Sequence, residues 1–227
     1  MNTEPQGSPR KTRPILITIG SAALAGDLSV PAGTQGLVIV ASASGRFTPR
    51  NKYLADALDR HLLATLLIDL LTEEEEAADE RAGRLKFDIR LLADRLVAIG
   101  DAARREPDLR ALPVGLLGAS TGGSAALWAV AQQPRDFRAI VSFGGRPELA
   151  GSALGRVMVP TLFIVGERDE QMIDVHERAL FRMHNDTRLE IVAGATSQFE
   201  EAGALARVAA LAAGWFNKHL TDDPAPA

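Results

Sequence analysis

Ser120 stands in Gly118-Ala119-Ser120-Thr121-Gly122, between an apolar run from Pro113 to Leu117 and a helical run to Gln133. A G-x-S-x-G pentapeptide in that setting reads as a nucleophile elbow, in which glycines let a strand turn sharply into a helix and lift the serine hydroxyl above a sheet. The pentapeptide alone is a weak signal. The small residues Gly123-Ser124-Ala125-Ala126-Leu127 that follow it strengthen the reading against that of a glycine-rich turn without chemistry. A free hydroxyl is a poor nucleophile, so acyl transfer needs a base, and the base needs a third group to orient it. Asp169 suits the third group, because it follows the apolar run Thr161 to Val165 through Gly166-Glu167-Arg168. It suits equally well the N-cap of a helix beginning near Gln171.

The base is the difficulty. The chain has four histidines, and His61, His184 and His219 all fall at or near predicted helix ends. His176 stands about two turns into the helix that starts near Asp169, beside a site rather than at the position of a base. No H-x-x-x-H or H-E-x-x-H spacing occurs, so no metal site is expected. Arg50 and Arg146 are candidates to hold a substrate carboxylate in a fork of donors, or simply to bridge loops. With His176 they make up the candidate substrate-binding residues.

These residues need a scaffold that brings them to one edge. Ile15 to Ile19 and Asp27 to Val30 read as short strands of an opening hairpin, and Gly36 to Ala41 as a central strand buried on both faces. A helix is expected over Asn51 to Leu63, a strand over Thr65 to Leu70, and a helix carrying Leu85, Ile89, Leu92, Leu96, Ile99 and Ala103 on one stripe. Further strands follow at Val114 to Leu117, Ala139 to Phe143, Thr161 to Val165 and Arg188 to Val192. A helix over Gln171 to Met183 separates the last two. A final helix carries Leu205, Val208, Ala212, Trp215 and Phe216. This alternation predicts an α/β fold with a mostly parallel central sheet and helices on both faces, binding ligands beyond the carboxyl ends of the strands. Ser120, Asp169 and Ser197 all follow such ends. The Glu73 to Glu76 run reads as a solvated helix start rather than a cation site, with Glu80 and Arg84 placed to pair at i,i+4.

Pro49-Arg50-Asn51, Ile68 to Thr72, the Ser120 pentapeptide, Gly144-Gly145-Arg146-Pro147, Val165 to Glu170 and Gly194 to Glu201 make a set. Together they resemble the dienelactone hydrolase branch of the α/β-hydrolase superfamily. The resemblance spans roughly Leu28 to Leu220. It implies an α/β-hydrolase fold, hydrolysis of small esters or lactones, no cofactor, and a triad in the chain order serine, acid, histidine. Ser120 then takes the nucleophile position and Asp169 the acid position. Backbone N–H groups of Thr121 and of the Ser42, Ala43, Ser44 segment would form the oxyanion hole. In the related pattern the residue after Gly-Ala-Thr is the catalytic histidine, and here it is Ser197. A His-Gly segment after the central strand is also replaced, by Ala41 to Gly45. A serine has no acceptor that titrates near neutrality and cannot do imidazole's work.

Three functions remain open from the residues: an impaired serine hydrolase, a protein that binds a small ester, lactone or carboxylate or acts as a partner subunit, and a lyase or isomerase reusing the pocket. Composition limits the rest. Net charge is −4 with basic residues scattered among acids, so no nucleic-acid partner is expected. No apolar run is long enough for a membrane span, and the absence of cysteine excludes disulfides and thiolate sites. The expectation is a cytoplasmic protein with one domain over residues 14–220 and polar tails at 1–13 and 221–227.

Overall fold

The computed structural model describes residues 11–221 apart from 44, 46 and 47, with the backbone alone for residue 11. Among the described residues eight strands form one sheet: β1 Lys11–Ile19, β2 Ala22–Val30, β3 Gly36–Ser42, β4 Leu63–Asp69, β5 Val114–Ala119, β6 Ala139–Phe143, β7 Thr161–Gly166 and β8 Thr187–Val192. Their order is β1-β2-β4-β3-β5-β6-β7-β8. The first two strands are antiparallel to their neighbours, and β4 through β8 run parallel. The mostly parallel sheet expected from the alternation is therefore present, with an antiparallel pair at one edge.

Among the described residues six α-helices cover it: α1 Pro49–Arg60, α2 Glu73–Ala82, α3 Ile89–Arg105, α4 Thr121–Gln132, α5 Glu170–Leu180 and α6 Ala204–Thr221. Two apolar cores follow from strand alternation. One face of the sheet packs on α3 and α4 through Leu92, Leu96, Ala125 and Val130. The other packs on α1 and α6 through Leu54, Leu58, Val208 and Phe216. Strands β3 and β4 are buried along their whole length, which is why they read as unbroken apolar runs instead of alternating ones. Among the described residues, no helix is long and apolar enough to cross a membrane.

Three expectations are corrected. Residues 11–13, read as tail, pair with β2 as the start of β1. An edge strand tolerates polar and proline residues that would not suit the sheet interior, so Lys11, Thr12, Arg13 and Pro14 gave no strand signal. At the other end Thr221 closes α6, and the expected tail from residue 222 lies outside the described residues, as do residues 1–10. The Glu80–Arg84 pairing does not form. Gly83 at φ 60° ends α2 before Arg84, and the Arg84, Leu85 and Lys86 N–H groups all donate to the Asp79 carboxylate instead. A 3₁₀ stretch over Pro147–Arg156 had no counterpart in the sequence reading.

The acidic run serves structure. Thr72 and Glu75 form a reciprocal capping box at the start of α2. Both Glu75 oxygens accept from Arg95 at 2.6 Å, and Arg95 also donates to the Leu70 carbonyl at 2.6 Å. The Arg95 side chain is only 7% exposed, so the pair fixes the loop after β4 against α3. The hydrogen bonds from Arg95 hold the Glu75 carboxyl below its usual range despite its partial burial. A depressed carboxyl contributes stability above its unfolded value and loses it as pH falls through the folded one. Glu75→Gln is therefore expected to cost about 3 kcal/mol near pH 7 by leaving the Arg95 charge buried and unpaired. Thermal denaturation from about pH 7 to about pH 3 checks it: the gap between wild type and variant should narrow toward the acid end.

Candidate active site

Ser120 occupies the turn between β5 and α4 with φ 49° and ψ −123°. Few side-chain-bearing residues adopt such a backbone, and holding one there costs about 1–3 kcal/mol unless the surroundings enforce it. They do. A Cβ added to Gly118 would land on the Gly122 carbonyl and the Gly123 nitrogen, so strand and helix meet at a distance only glycine allows. The turn lies where β5 neighbours β3, whose other neighbour is β4, so chain connections leave this point in opposite directions along the sheet. Ligands bind at such points in open α/β sheets.

The loops after β7 and β8 come to the same edge. Gly166 is pressed against the Ala195 and Thr196 carbonyls, and Arg168 N–H donates to Ala195 O at 2.9 Å. Thr196 N–H donates to the Glu201 carboxylate at 3.0 Å, and that carboxyl is held below its usual range first by the backbone N–H of Glu201 itself and then by Thr196. Phe199, at φ 55° and buried, packs edge-on against Phe143 at 6.0 Å between centroids. These contacts leave Asp169 and Ser197 lining one pocket with Ser120, Arg50 and Arg146, of about 460 Å³. Asp169 is the N-cap of α5 by position, but its side chain makes no capping hydrogen bond. Its carboxylate stays uncommitted beside the pocket.

A second, smaller recess of about 140 Å³ opens on the other side of Ser120, lined by Ser42, Ala43, Thr121 and Arg50 among others. The expected oxyanion residues are thus brought beside the serine, and Thr121 is the first residue of α4, where N–H groups lack intrahelical partners. Ser44 lies outside the described residues. Arg50 borders both compartments, with its guanidinium carbon 5.5 Å from the centre of the Phe143 ring. Burial pulls the Arg50 pKa below its usual value, while the field of Glu200 acts in the opposite sense.

Arg146 reaches the larger pocket but is engaged, its Nε donating to Glu148 Oε1 at 2.8 Å. His176 does not reach either compartment. It is fully buried in the core beside Phe163, and Nδ1–H donates to the Met172 carbonyl at 2.7 Å. Burial depresses its pKa, against smaller raising effects of Met172, Glu148 and Asp169, so it is a neutral core histidine. Its candidacy for ligand binding is corrected accordingly: its position about two turns into α5 puts it on the sheet-facing side. Of the other three, His61 is the C-cap residue of α1, and the His219 ring lies tilted against Trp215 with centroids 4.4 Å apart. None of the four lines the Ser120 pockets. Among the described residues, no cluster of histidine and carboxylates suited to a metal occurs. Sequence reading missed Lys86 and Phe87, which wall the smaller recess; they precede α3 in a short 3₁₀ turn that carries no pattern of its own.

A serine elbow at the switch point of a mostly parallel sheet, with an acid on the loop after β7, defines an α/β-hydrolase. The chain is 48% identical to a dienelactone hydrolase from Anabaena variabilis, covering 93% of this chain and 99% of that one, with a TM-score of 0.90. It belongs to the dienelactone hydrolase family. A dienelactone hydrolase-like promiscuous phosphotriesterase from metagenomic libraries shares the fold at 20% identity and a TM-score of 0.72, over 93% of this chain and 99% of that one. Two proteins from different strains of Mycobacterium tuberculosis, named provisionally as phosphoribosyl transferases, are each 45% identical over 93% of this chain. The chain spans about half the length of these curated relatives, 47%. No protein-family model matches the chain.

The strained turn yields a stability test. Ser120→Gly is expected to stabilise the fold by about 1 kcal/mol, because relief of backbone strain exceeds the extra chain entropy of glycine. Ser120→Ala keeps the strain and should leave the melting temperature nearly unchanged; chemical denaturation of the three proteins measures the difference.

Proposed function

We propose that this chain is a dienelactone hydrolase-type protein in which Ser120 holds the nucleophile position, Asp169 the acid position, and Ser197 the position of the family's histidine. Its pocket binds a small ester, lactone or carboxylate ligand, and its hydrolytic turnover is slow. The observation that carries this reading is that Ser120, Asp169 and Ser197 line one pocket that none of the four histidines lines. Backbone donors at Thr121 and at Ser42 and Ala43 would still stabilise a developing oxyanion. Such donors and binding alone leave roughly 10³–10⁴-fold catalysis over water when a triad member is missing.

Stepwise, a ligand carbonyl rests over Ser120 with its oxygen toward Thr121 N–H. The Ser120 hydroxyl has Asp169 and Ser197 on the neighbouring wall, but neither accepts its proton as an imidazole would, so attack on the carbonyl carbon is slow. The phosphoribosyl transferase name belongs to proteins about twice as long as the matched region. The likeness to the Anabaena enzyme covers nearly all of that enzyme and supports a hydrolase ancestry.

Restoration tests the reading. Ser197→His is expected to raise kcat/KM for p-nitrophenyl acetate by roughly 10²–10⁴-fold, the usual contribution of a positioned acid–base group. An unchanged rate in a folded variant would contradict the assignment of position 197.

A further inference from the structure

We propose that β8 is a docking edge for a second copy of this chain, pairing antiparallel with its counterpart about Leu189 so that the two sheets continue as one. The strand is last in the sheet order and has β7 on one side only. Thr161 N–H donates to Asp186 O at 2.9 Å and Glu167 N–H to Val192 O at 3.0 Å. In a parallel ladder the N–H and C=O of one residue point to the same side, and successive residues alternate. Arg188 and Glu190 therefore also face β7, while the backbone groups of Thr187, Leu189 and Ile191 face outward. Among the described residues no other strand pairs with them. Such a row of open donors and acceptors is a template for another strand.

Charge selects how two such edges meet. Copies related by a two-fold axis present the same surface to each other, and outward-facing residues must oppose outward-facing residues for the hydrogen bonds to form. Registers centred on Arg188, on Leu189 or on Glu190 satisfy that condition. The first sets Arg188 against Arg188 of the second copy, and the last sets Glu190 against Glu190. The register about Leu189 instead places each Arg188 opposite the other copy's Glu190. It also uses every outward-facing residue, pairing Thr187 with Ile191 twice and Leu189 with itself. Opposite charges directly across an antiparallel pair stabilise it and like charges destabilise it, so Arg188 and Glu190 favour this register over its neighbours.

Both charges are held loosely within the chain. The Arg188 and Glu190 side chains are 57% and 41% exposed, and their ion pairs are long, 3.6 Å from Arg188 to Asp186 and 3.9 Å from Arg207 to Glu190. The Arg188 guanidinium carbon lies 5.5 Å from the centre of a Trp215 ring on α6, which sets the pair on the α6 face of the sheet. On the opposite face Leu189 packs against the core that contains Ala179. Ile191 shares that face and is 48% exposed, and the register covers it with Thr187 of the second copy. The other edge of the sheet is guarded: β1 carries Pro14, which has no N–H to donate. β8 has neither proline nor a break in its register with β7. The strand leads into the loop of Ser197, so pairing on both sides braces that loop without entering the pocket.

Sedimentation velocity of the full chain over a dilution series, with amide hydrogen exchange resolved by residue, tests this. The expected result is a dimer whose Thr187, Leu189 and Ile191 amides are protected and lose that protection as the dimer dissociates. Arg188→Glu and Glu190→Arg each turn two attractive pairs repulsive, by symmetry, and should weaken the dimer by roughly tenfold or more. The double variant Arg188→Glu with Glu190→Arg makes both pairs attractive again and should return the affinity to near the wild-type value, which separates repulsion across the edge from damage to the fold. A wild-type chain that stays monomeric overturns the proposal; protected outward amides in that monomer would assign the edge to a segment of the same chain. A dimer that neither single reversal weakens, or that the double reversal does not restore, overturns it as well.

Discussion

The approach of β5 to α4 through Gly118 and Gly122 is the constraint on which the site depends. It leaves no room for a Cβ, forces Ser120 into a backbone conformation that residues with side chains rarely adopt, and sets the hydroxyl at the edge of the sheet. Strain of about 1–3 kcal/mol persists only where the surroundings over-determine it. Here the buried strands β3 and β5 on one side and the packed small-residue face of α4 on the other provide that determination. The second half of the site depends on a similar closeness, between Gly166 and the Ala195–Thr196 backbone. Two glycine contacts thus bring three chain segments, far apart in sequence, to one pocket.

On the proposed reading, geometry and chemistry have separated. The serine turn, the uncommitted carboxylate of Asp169 and the loop of Ser197 keep the arrangement of a hydrolase, while proton transfer lacks an imidazole. Preorganised donors cost nothing at the moment of reaction and act whether or not a base is present. A pocket can therefore retain its affinity for a carbonyl ligand after its rate has fallen.

Much of this was legible in the sequence because buried parallel strands leave unbroken apolar runs and the elbow needs its glycines at fixed spacing. Gly36 to Ala41 carried the first signal, and Gly118 to Gly122 the second once the small residues after it were read with it. Asp169 was legible from its place after an apolar strand, and Ser197 from the resemblance of Gly194 to Glu201 to a known pattern. The residues that escaped lack periodicity. Lys86 and Phe87 reach the recess from a 3₁₀ turn positioned by Asp79, a carboxylate whose role is to accept three backbone N–H groups. His176 was misplaced because its distance along the helix was visible while its rotation about the helix axis was not. The start of β1 was lost because a solvent-facing edge strand does not need an apolar pattern.

The most direct measurement is intact mass after exposure of the folded protein to a fluorophosphonate, with Ser120→Ala as control. Such a reagent phosphonylates a serine that a neighbouring base has activated. Little or no Ser120-dependent adduct, over times in which a complete triad would be saturated, is what a positioned but unactivated serine predicts. Rapid stoichiometric addition at Ser120 would contradict it and require a base among the groups lining the pocket.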